Sequence, residues 1–439
     1  MPDTNLRRSL RLPHATAMVV GTIIGASIFV QPSEMTGAVP SVGGLLAAWT
    51  VAGLLTIAGA LICAELASAY PMTGGVYVFL NETVSPVAGF LWAWAMFWSM
   101  HSGIIAAIAV IFARYVGYFV PLSDTGLRLT GIAAVLVLSA INYVGVKHGS
   151  RLQSAFTLGK LAAIALMIGL GFLLGSGRPH FQSAAVASAQ PWQFPRAVAA
   201  GLFAFGGWHM VTYVAGETES ARRTIPAALI IGTAIVTACY VLLNIVYLYV
   251  LPLDAVMAST RIAADAADAV LGSGGGALMS ALVVFSTFGA LAGIVLLGPR
   301  VYFCMASNYR WLSWLAAVHP RYRTPHRAIV LQAGWTSALV ATGSYRALFT
   351  RVVYTEWIFF ALMAVGLMAA RRQPGYAAGM KVPGYPAVPV LFALVAGAIA
   401  MDRLLADPMD GLIGLGLVLA GLPLYYLGRA PSGPTALRA

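Results

Sequence analysis

The strongest constraint on this chain is the recurrence of apolar stretches long enough to cross a bilayer. Twelve can be drawn, at 14–37, 41–69, 86–113, 127–146, 152–175, 195–218, 226–251, 276–305, 327–343, 352–370, 386–403 and 409–428. A hydrocarbon core of about 30 Å needs roughly 20 apolar residues per helix. Backbone N–H and C=O groups in lipid must be satisfied within the protein, so such segments read as helices packed in one bundle. No alternation of the kind a membrane barrel needs is present. The fold class is therefore all-α integral membrane protein with twelve transmembrane helices, a single membrane domain over 1–439. Composition agrees: 60% of residues are hydrophobic and 9% charged, whereas a soluble domain is about a quarter charged. Disorder, coiled coil and nucleic-acid binding are excluded on the same figures. The longest soluble segment is a loop of about twenty residues, too short for an output domain, and a channel would need a polar lining that the segments lack.

Placing the N-terminus inside puts 17 of the 26 Lys and Arg residues on the cytoplasmic side, among them Arg7, Arg8, Arg11, Arg222, Arg223, Arg300 and Arg371. Such a bias toward cytoplasmic loops predicts an inner-membrane protein with both termini in the cytoplasm. The N-terminal basic residues do not open a signal peptide, because the apolar run after them is too long and has no well-placed cleavage site. Cys63, Cys239 and Cys304 all fall in apolar stretches, which predicts free buried thiols rather than a disulfide framework.

Two segments are interrupted. Segment one carries Gly21-Thr22-Ile23-Ile24-Gly25-Ala26-Ser27-Ile28-Phe29, and segment six carries Phe203-Ala204-Phe205-Gly206-Gly207-Trp208-His209. Paired Gly-rich interruptions five helices apart point to a transporter site at the membrane midplane. An unwound helix frees N–H and C=O groups that lipid cannot satisfy. A zwitterion can satisfy them, its carboxylate on the N-terminus of the second half-helix and its ammonium on the carbonyls ending the first. Close helix packing at glycines is the alternative reading of either break alone.

The segment-one string resembles the signature of the amino acid–polyamine–organocation superfamily. Phe203-Ala-Phe-Gly-Gly-Trp208 with Gly216-Glu217 resembles segment six of its L-type amino acid transporter branch. Tyr70-Pro-Met-Thr-Gly-Gly-Val-Tyr77, Thr157-Leu-Gly-Lys160-Leu, Ser286-Thr-Phe-Gly289, Gly298-Pro-Arg300 and His319-Pro-Arg-Tyr-Arg-Thr-Pro325 match in order, so the resemblance covers about 14–330. It implies a five-plus-five inverted repeat, with the first repeat at 14–175, the second at 195–370 and two further helices at 386–428. It also implies amino acid transport by alternating access. Carried over by position, the N–H groups of Ala26 and Ser27 beside Gly25 would hold the substrate carboxylate. The carbonyls of Ile23, Phe203 and Gly206 would hold the ammonium, next to Ala204, and the Phe203 ring would close over the substrate as a gate. Two departures stand out. Ser27 replaces a usual Gly, which would strain it if its φ were positive. Ala292 stands where L-type members often have Asn.

Lys160 is a lone cation inside segment five, where a charge costs roughly 2.5–3.5 kcal/mol on the insertion scale. Either it snorkels to the interface or, as the resemblance implies, its ammonium takes the place of a sodium ion and donates to freed carbonyls near Gly21 or Thr22. The expected function is sodium-independent exchange of neutral L-amino acids. Proton-coupled symport, with Lys160 or a histidine as carrier, is the alternative, followed by transport of cationic amino acids or polyamines. Neutral selectivity is expected because no Asp or Glu is evident near either break. His209 would border the side-chain pocket, and His101 reads as a packing residue. Glu217 is expected to pair with nearby Arg222 or Arg223, and Trp92, Trp94 and Trp98 to form an interfacial belt. No His-Glu-x-x-His, Gly-x-Ser-x-Gly or carboxylate cluster suggests an intramembrane enzyme, and no cofactor or metal is indicated. The expected partners are the amino acid and the bilayer. A heavy chain held by a disulfide would need an extracellular cysteine, so a monomer or weak oligomer is expected.

Overall fold

A computed structural model of the chain describes residue 6 and residues 8–25, 27–29, 31–175, 193–259, 261–272, 274–343 and 345–428. The described chain is helical throughout, with one isolated bridge between Leu10 and Thr218. Its helices are α1 (Leu12–Ile23), α2 (Gln31–Ala38), α3 (Val42–Ala69), α4 (Val76–Thr83), α5 (Pro86–Ala95), α6 (His101–Val116), α7 (Asp124–Val144), α8 (Val146–Leu174) and α9 (Gln193–Ala204). They continue as α10 (Ala221–Val250), α11 (Leu253–Ala258), α12 (Ile262–Leu271), α13 (Gly275–Asn308), α14 (His326–Thr342), α15 (Tyr345–Ala370), α16 (Ala387–Ala406), α17 (Pro408–Leu419) and α18 (Gly421–Gly428).

Among the described residues, nine helical runs are long and apolar enough to cross a membrane. Three of the twelve apolar segments fall outside that set for physical reasons. Segments one and six are each split into short pieces, and segment nine is α14, only 17 residues long. Segment three is one run over Pro86–Val116. A π turn at Met96–Met100 joins α5 to α6 within it, a feature that often marks a functional site in a helix. Local chemistry sets the entries. Ser41, Ser85 and Ser123 each cap a helix by accepting a backbone N–H from Gly44, Ala88 and Gly126 respectively.

The interior is built around the broken pieces. α1 packs against α8, α10 and α13, and α9 against α2 and α3. α13 carries Pro299 in its interior, which has no N–H to give Val295. Gln332 Nε2 on α14 donates to the Val295 carbonyl at 3.1 Å, and His101 Nε2 lies 2.9 Å from the Ile294 carbonyl. Gln332 thus replaces the backbone hydrogen bond that Pro299 cannot make.

One face is sealed where the N-terminal segment docks on the end of segment six. Ser9 and Leu10 give their N–H groups to the Glu217 carbonyl, and Glu219 N–H returns to Leu10. Beneath this, Arg300 of α13 and Glu217 form a fully buried bidentate pair, Nε–Oε2 2.8 Å and Nη2–Oε1 3.0 Å. The pairing of Glu217 with Arg222 or Arg223 expected from sequence proximity is not what forms. Arg222 instead donates to the carbonyls of Ser68 and Ala377. Arg300, counted with the loop cations, lies inside a helix. Glu65, at the end of α3, takes Arg371, Tyr376 and the Val382 N–H. All three cysteines are free thiols.

Candidate functional site

α1 stops at Ile23, and its last intrahelical bond runs from Ile24 N–H to Val20. A short 3₁₀ turn, Ser27–Phe29, follows and leads into α2. Ala26 lies outside the described residues. Neither Gly25 nor Ser27 takes a positive φ. The strain expected from replacing a glycine by Ser27 is therefore not present, because a 3₁₀ turn uses ordinary right-handed backbone. The second break does need its glycine. α9 stops at Ala204, residues 205–209 form turns, and Gly207 has φ 94°. A Cβ there would also sit 3.2 Å from the Thr22 carbonyl, so the two breaks touch at a position where a side chain would intrude.

Three side chains brace α1, and one of them reaches both breaks. Lys160 on α8 is buried, and its ammonium donates to the carbonyls of Gly21 at 3.1 Å and Ile24 at 2.7 Å. Both carbonyls belong to the turn of α1 whose helical continuation is missing. Thr157, one turn earlier on α8, donates to Ala17 at 2.9 Å. Tyr240 on α10 has its hydroxyl 3.1 Å from the Ile23 carbonyl and 3.2 Å from the Ala204 carbonyl, the ends of the two half-helices. One O–H can serve one of them at a time, so Tyr240 can exchange between breaks as they shift. Tyr240→Phe removes that bond, about 1 kcal/mol. It is expected to raise the apparent KM for substrate several-fold, with the amount of membrane-inserted protein unchanged, as measured by initial-rate uptake.

Ile23, Gly25, Ser27, Phe203, Ala204, Gly206 and His209 all line one cavity of about 150 Å³. The site residues drawn from both breaks thus meet in a single space. Lys160 does not face it but braces α1 from behind, beside a second, smaller cavity. Phe203 lines the cavity and is 45% exposed. Its carbonyl already accepts the Gly206 N–H at 3.1 Å, leaving one lone pair for another donor. The walls are apolar, with Ile104, Ile108, Val353, Trp357 and Phe360.

Two titratable side chains interrupt those walls, and one corrects the sequence reading. Glu356 of α15 lines the cavity, with Oε1 3.6 Å from His209 Nε2. The expectation that no carboxylate lies near either break fails because α15 brings Glu356 back from 147 residues along the chain. The signal was available: a glutamate inside an apolar segment is itself a site marker. Trp92 departs from the interfacial reading too. It is fully buried, its ring 5.8 Å from that of His209.

Comparison with known proteins agrees with this geometry. Residues 10–405 match the model of a family described as amino acid permease. The chain belongs to that amino acid permease family. Among its relatives, the serine/threonine exchanger SteT of Bacillus subtilis (strain 168) is 33% identical over 97% of both chains. The human Asc-type amino acid transporter 1 is 30% identical over 96% of this chain and 82% of its own. The human large neutral amino acids transporter small subunit 2 is 30% identical over 96% and 81%. This amino acid permease is accordingly a multi-pass membrane protein of a transporter family and not an enzyme.

Proposed function

We propose that this permease is a sodium-independent exchanger of neutral L-amino acids, working by alternating access across a cell inner membrane with both termini in the cytoplasm. The observation that carries the reading is the single cavity lined by both helix breaks, with the Lys160 ammonium holding the carbonyls behind one of them. The substrate carboxylate would sit on the N–H groups of Ala26 and Ser27. The ammonium would take the remaining lone pairs of Ile23, Phe203 and Gly206. Main-chain recognition of this kind fixes the α-amino acid frame and leaves the side chain to the cavity walls. The chain's likeness to a serine/threonine exchanger and to a large neutral amino acids transporter subunit supports the same substrate class.

We read the chain as twelve crossings, the first ten in two inverted repeats of five. Segments one and six are then equivalent elements, which gives a physical reason for both being broken. In this reading the protein is open toward the side of Phe203 and closed at the face where Leu10, Glu217 and Arg300 meet, which the exposure of Phe203 and the buried pair support. With the N-terminus inside, that sealed face is cytoplasmic and the cavity opens outward. Closing Phe203 over a bound substrate and releasing the seal would complete the exchange.

Purified protein in liposomes tests the reading. Uptake of labelled amino acid is expected to require amino acid inside and to be unchanged when choline replaces Na⁺. A Na⁺ requirement would sink the assignment of Lys160. A second reading, proton-coupled symport, is favoured by one observation, the titratable His209–Glu356 pair on the cavity wall. Uptake into empty liposomes driven by an imposed pH gradient would favour it.

A further inference from the structure

His209 and Glu356 face each other at the cavity, with the unpartnered Tyr213 hydroxyl on the ring packed against His209. Both ring nitrogens of His209 lack a hydrogen-bond partner although the residue is 1% exposed. Glu356 Oε1 is 3.6 Å from Nε2, beyond the range of a direct hydrogen bond of about 2.7–3.2 Å. The rings of Trp208, Tyr213 and Phe360 lie 5.4, 5.6 and 4.9 Å from the imidazole, which fixes it in place. His101, also buried, is committed to the Ile294 carbonyl. An imidazole held at this distance from the carboxylate stays unsatisfied unless a third group joins the two.

We propose that His209 and Glu356 form the subsite that reads the substrate's side chain, and that the side chain it takes carries a hydroxyl. The inference rests on the exchange reading above. A hydroxyl both donates and accepts, so one oxygen can accept from the His209 N–H and donate to Glu356. A methyl group in the same place leaves both protein groups unpaired, which is the situation in which sites discriminate most strongly. An ammonium only donates and cannot serve the imidazole N–H. Sharing one proton, the pair has no net charge whichever member holds it. A cationic substrate would disturb that balance in a cavity walled by Ile104, Ile108, Val353 and Trp357. Neutral selectivity then comes from a carboxylate balanced by its neighbour, not from the lack of one.

Threonine and valine, nearly equal in shape, supply the test. Proteoliposomes loaded with unlabelled threonine are given labelled threonine or labelled valine at equal low concentration. Wild-type protein is expected to take up threonine about tenfold faster, the factor that one hydrogen bond to a charged group supplies. Glu356→Leu is expected to bring the ratio within about twofold. Glu356→Gln, which keeps a carbonyl acceptor and the same shape but not the charge, is expected to retain part of it, between the wild-type and Leu values. Gel filtration of each variant establishes that it is folded, and the wild-type and Gln comparisons stand if the Leu variant is not. A wild-type ratio near one overturns the inference, as does a preference that survives Glu356→Leu. If neither amino acid exchanges, the exchange reading itself falls, and the inference with it.

Discussion

Replacing Lys160 by alanine is expected to cut exchange by about 100-fold while leaving the protein inserted and monodisperse in detergent. The ammonium donates to two carbonyls, Gly21 and Ile24, that α1 exposes where it stops. Hydrogen bonds from a charged donor contribute about 1.5–3 kcal/mol each. Losing both is worth about 3 kcal/mol or more, and each 1.4 kcal/mol is a factor of ten. The loss falls on the broken turn, not on the bundle, because α8 still packs along α1 through Thr157 and its bond to Ala17. Insertion gains rather than loses, since a lysine at that depth costs roughly 2.5–3.5 kcal/mol. Lys160→Met keeps most of the stem and should be as inactive as the alanine variant, which separates loss of charge from loss of packing. Counterflow uptake at matched protein density measures the effect. Either variant exchanging at more than about a third of the wild-type rate would show that the carbonyls do not need the ammonium.

How much of this was legible beforehand depends on range along the chain. Nine of the twelve crossing segments were, because a bilayer imposes one length and one polarity on every stretch that spans it. Both breaks were, because Gly25 and Gly206-Gly207 are local signals, and Lys160 was, because a single cation in an apolar run has few explanations. What sequence hid is what tertiary packing assembles. Glu217 was assigned to arginines five and six residues away, yet its partner Arg300 lies 83 residues on. Glu65 finds Arg371 306 residues away. Trp92, with Trp94 and Trp98 beside it, had the look of an interfacial belt, but segment three continues unbroken through a π turn and carries Trp92 into the interior against His209. Glu356 is the instructive miss. It sits in the fifth position of the segment drawn at 352–370. Its nearness to the segment's end, not its chemistry, kept it from notice.

The buried pair Glu217–Arg300 yields the second large effect, and here the sign of a comparison matters more than any one value. Neither side chain is exposed, and the two share a bidentate contact. Arg300 also donates to Leu296, on the turn of α13 that precedes Pro299. Removing one member strands a charge in the interior, which costs about 3–5 kcal/mol, whereas replacing both by apolar residues of similar size is often neutral. Glu217→Leu and Arg300→Met are each expected to lower the thermal unfolding temperature in detergent strongly, and the double variant is expected to recover most of that loss. The same cycle reads the conformational seal. Leu10 is bonded to the carbonyl of Glu217, so a strained Glu217 loosens the docked N-terminal segment. Cysteine placed at Thr218, which is buried under that segment, is expected to react with maleimide several-fold faster in either single variant. In the double variant its rate should return toward that of the intact pair. Single and double variants equally unstable would mean that the ion pair contributes only through packing. Unchanged labelling at position 218 in destabilised singles would mean that the pair holds the fold together without closing that face.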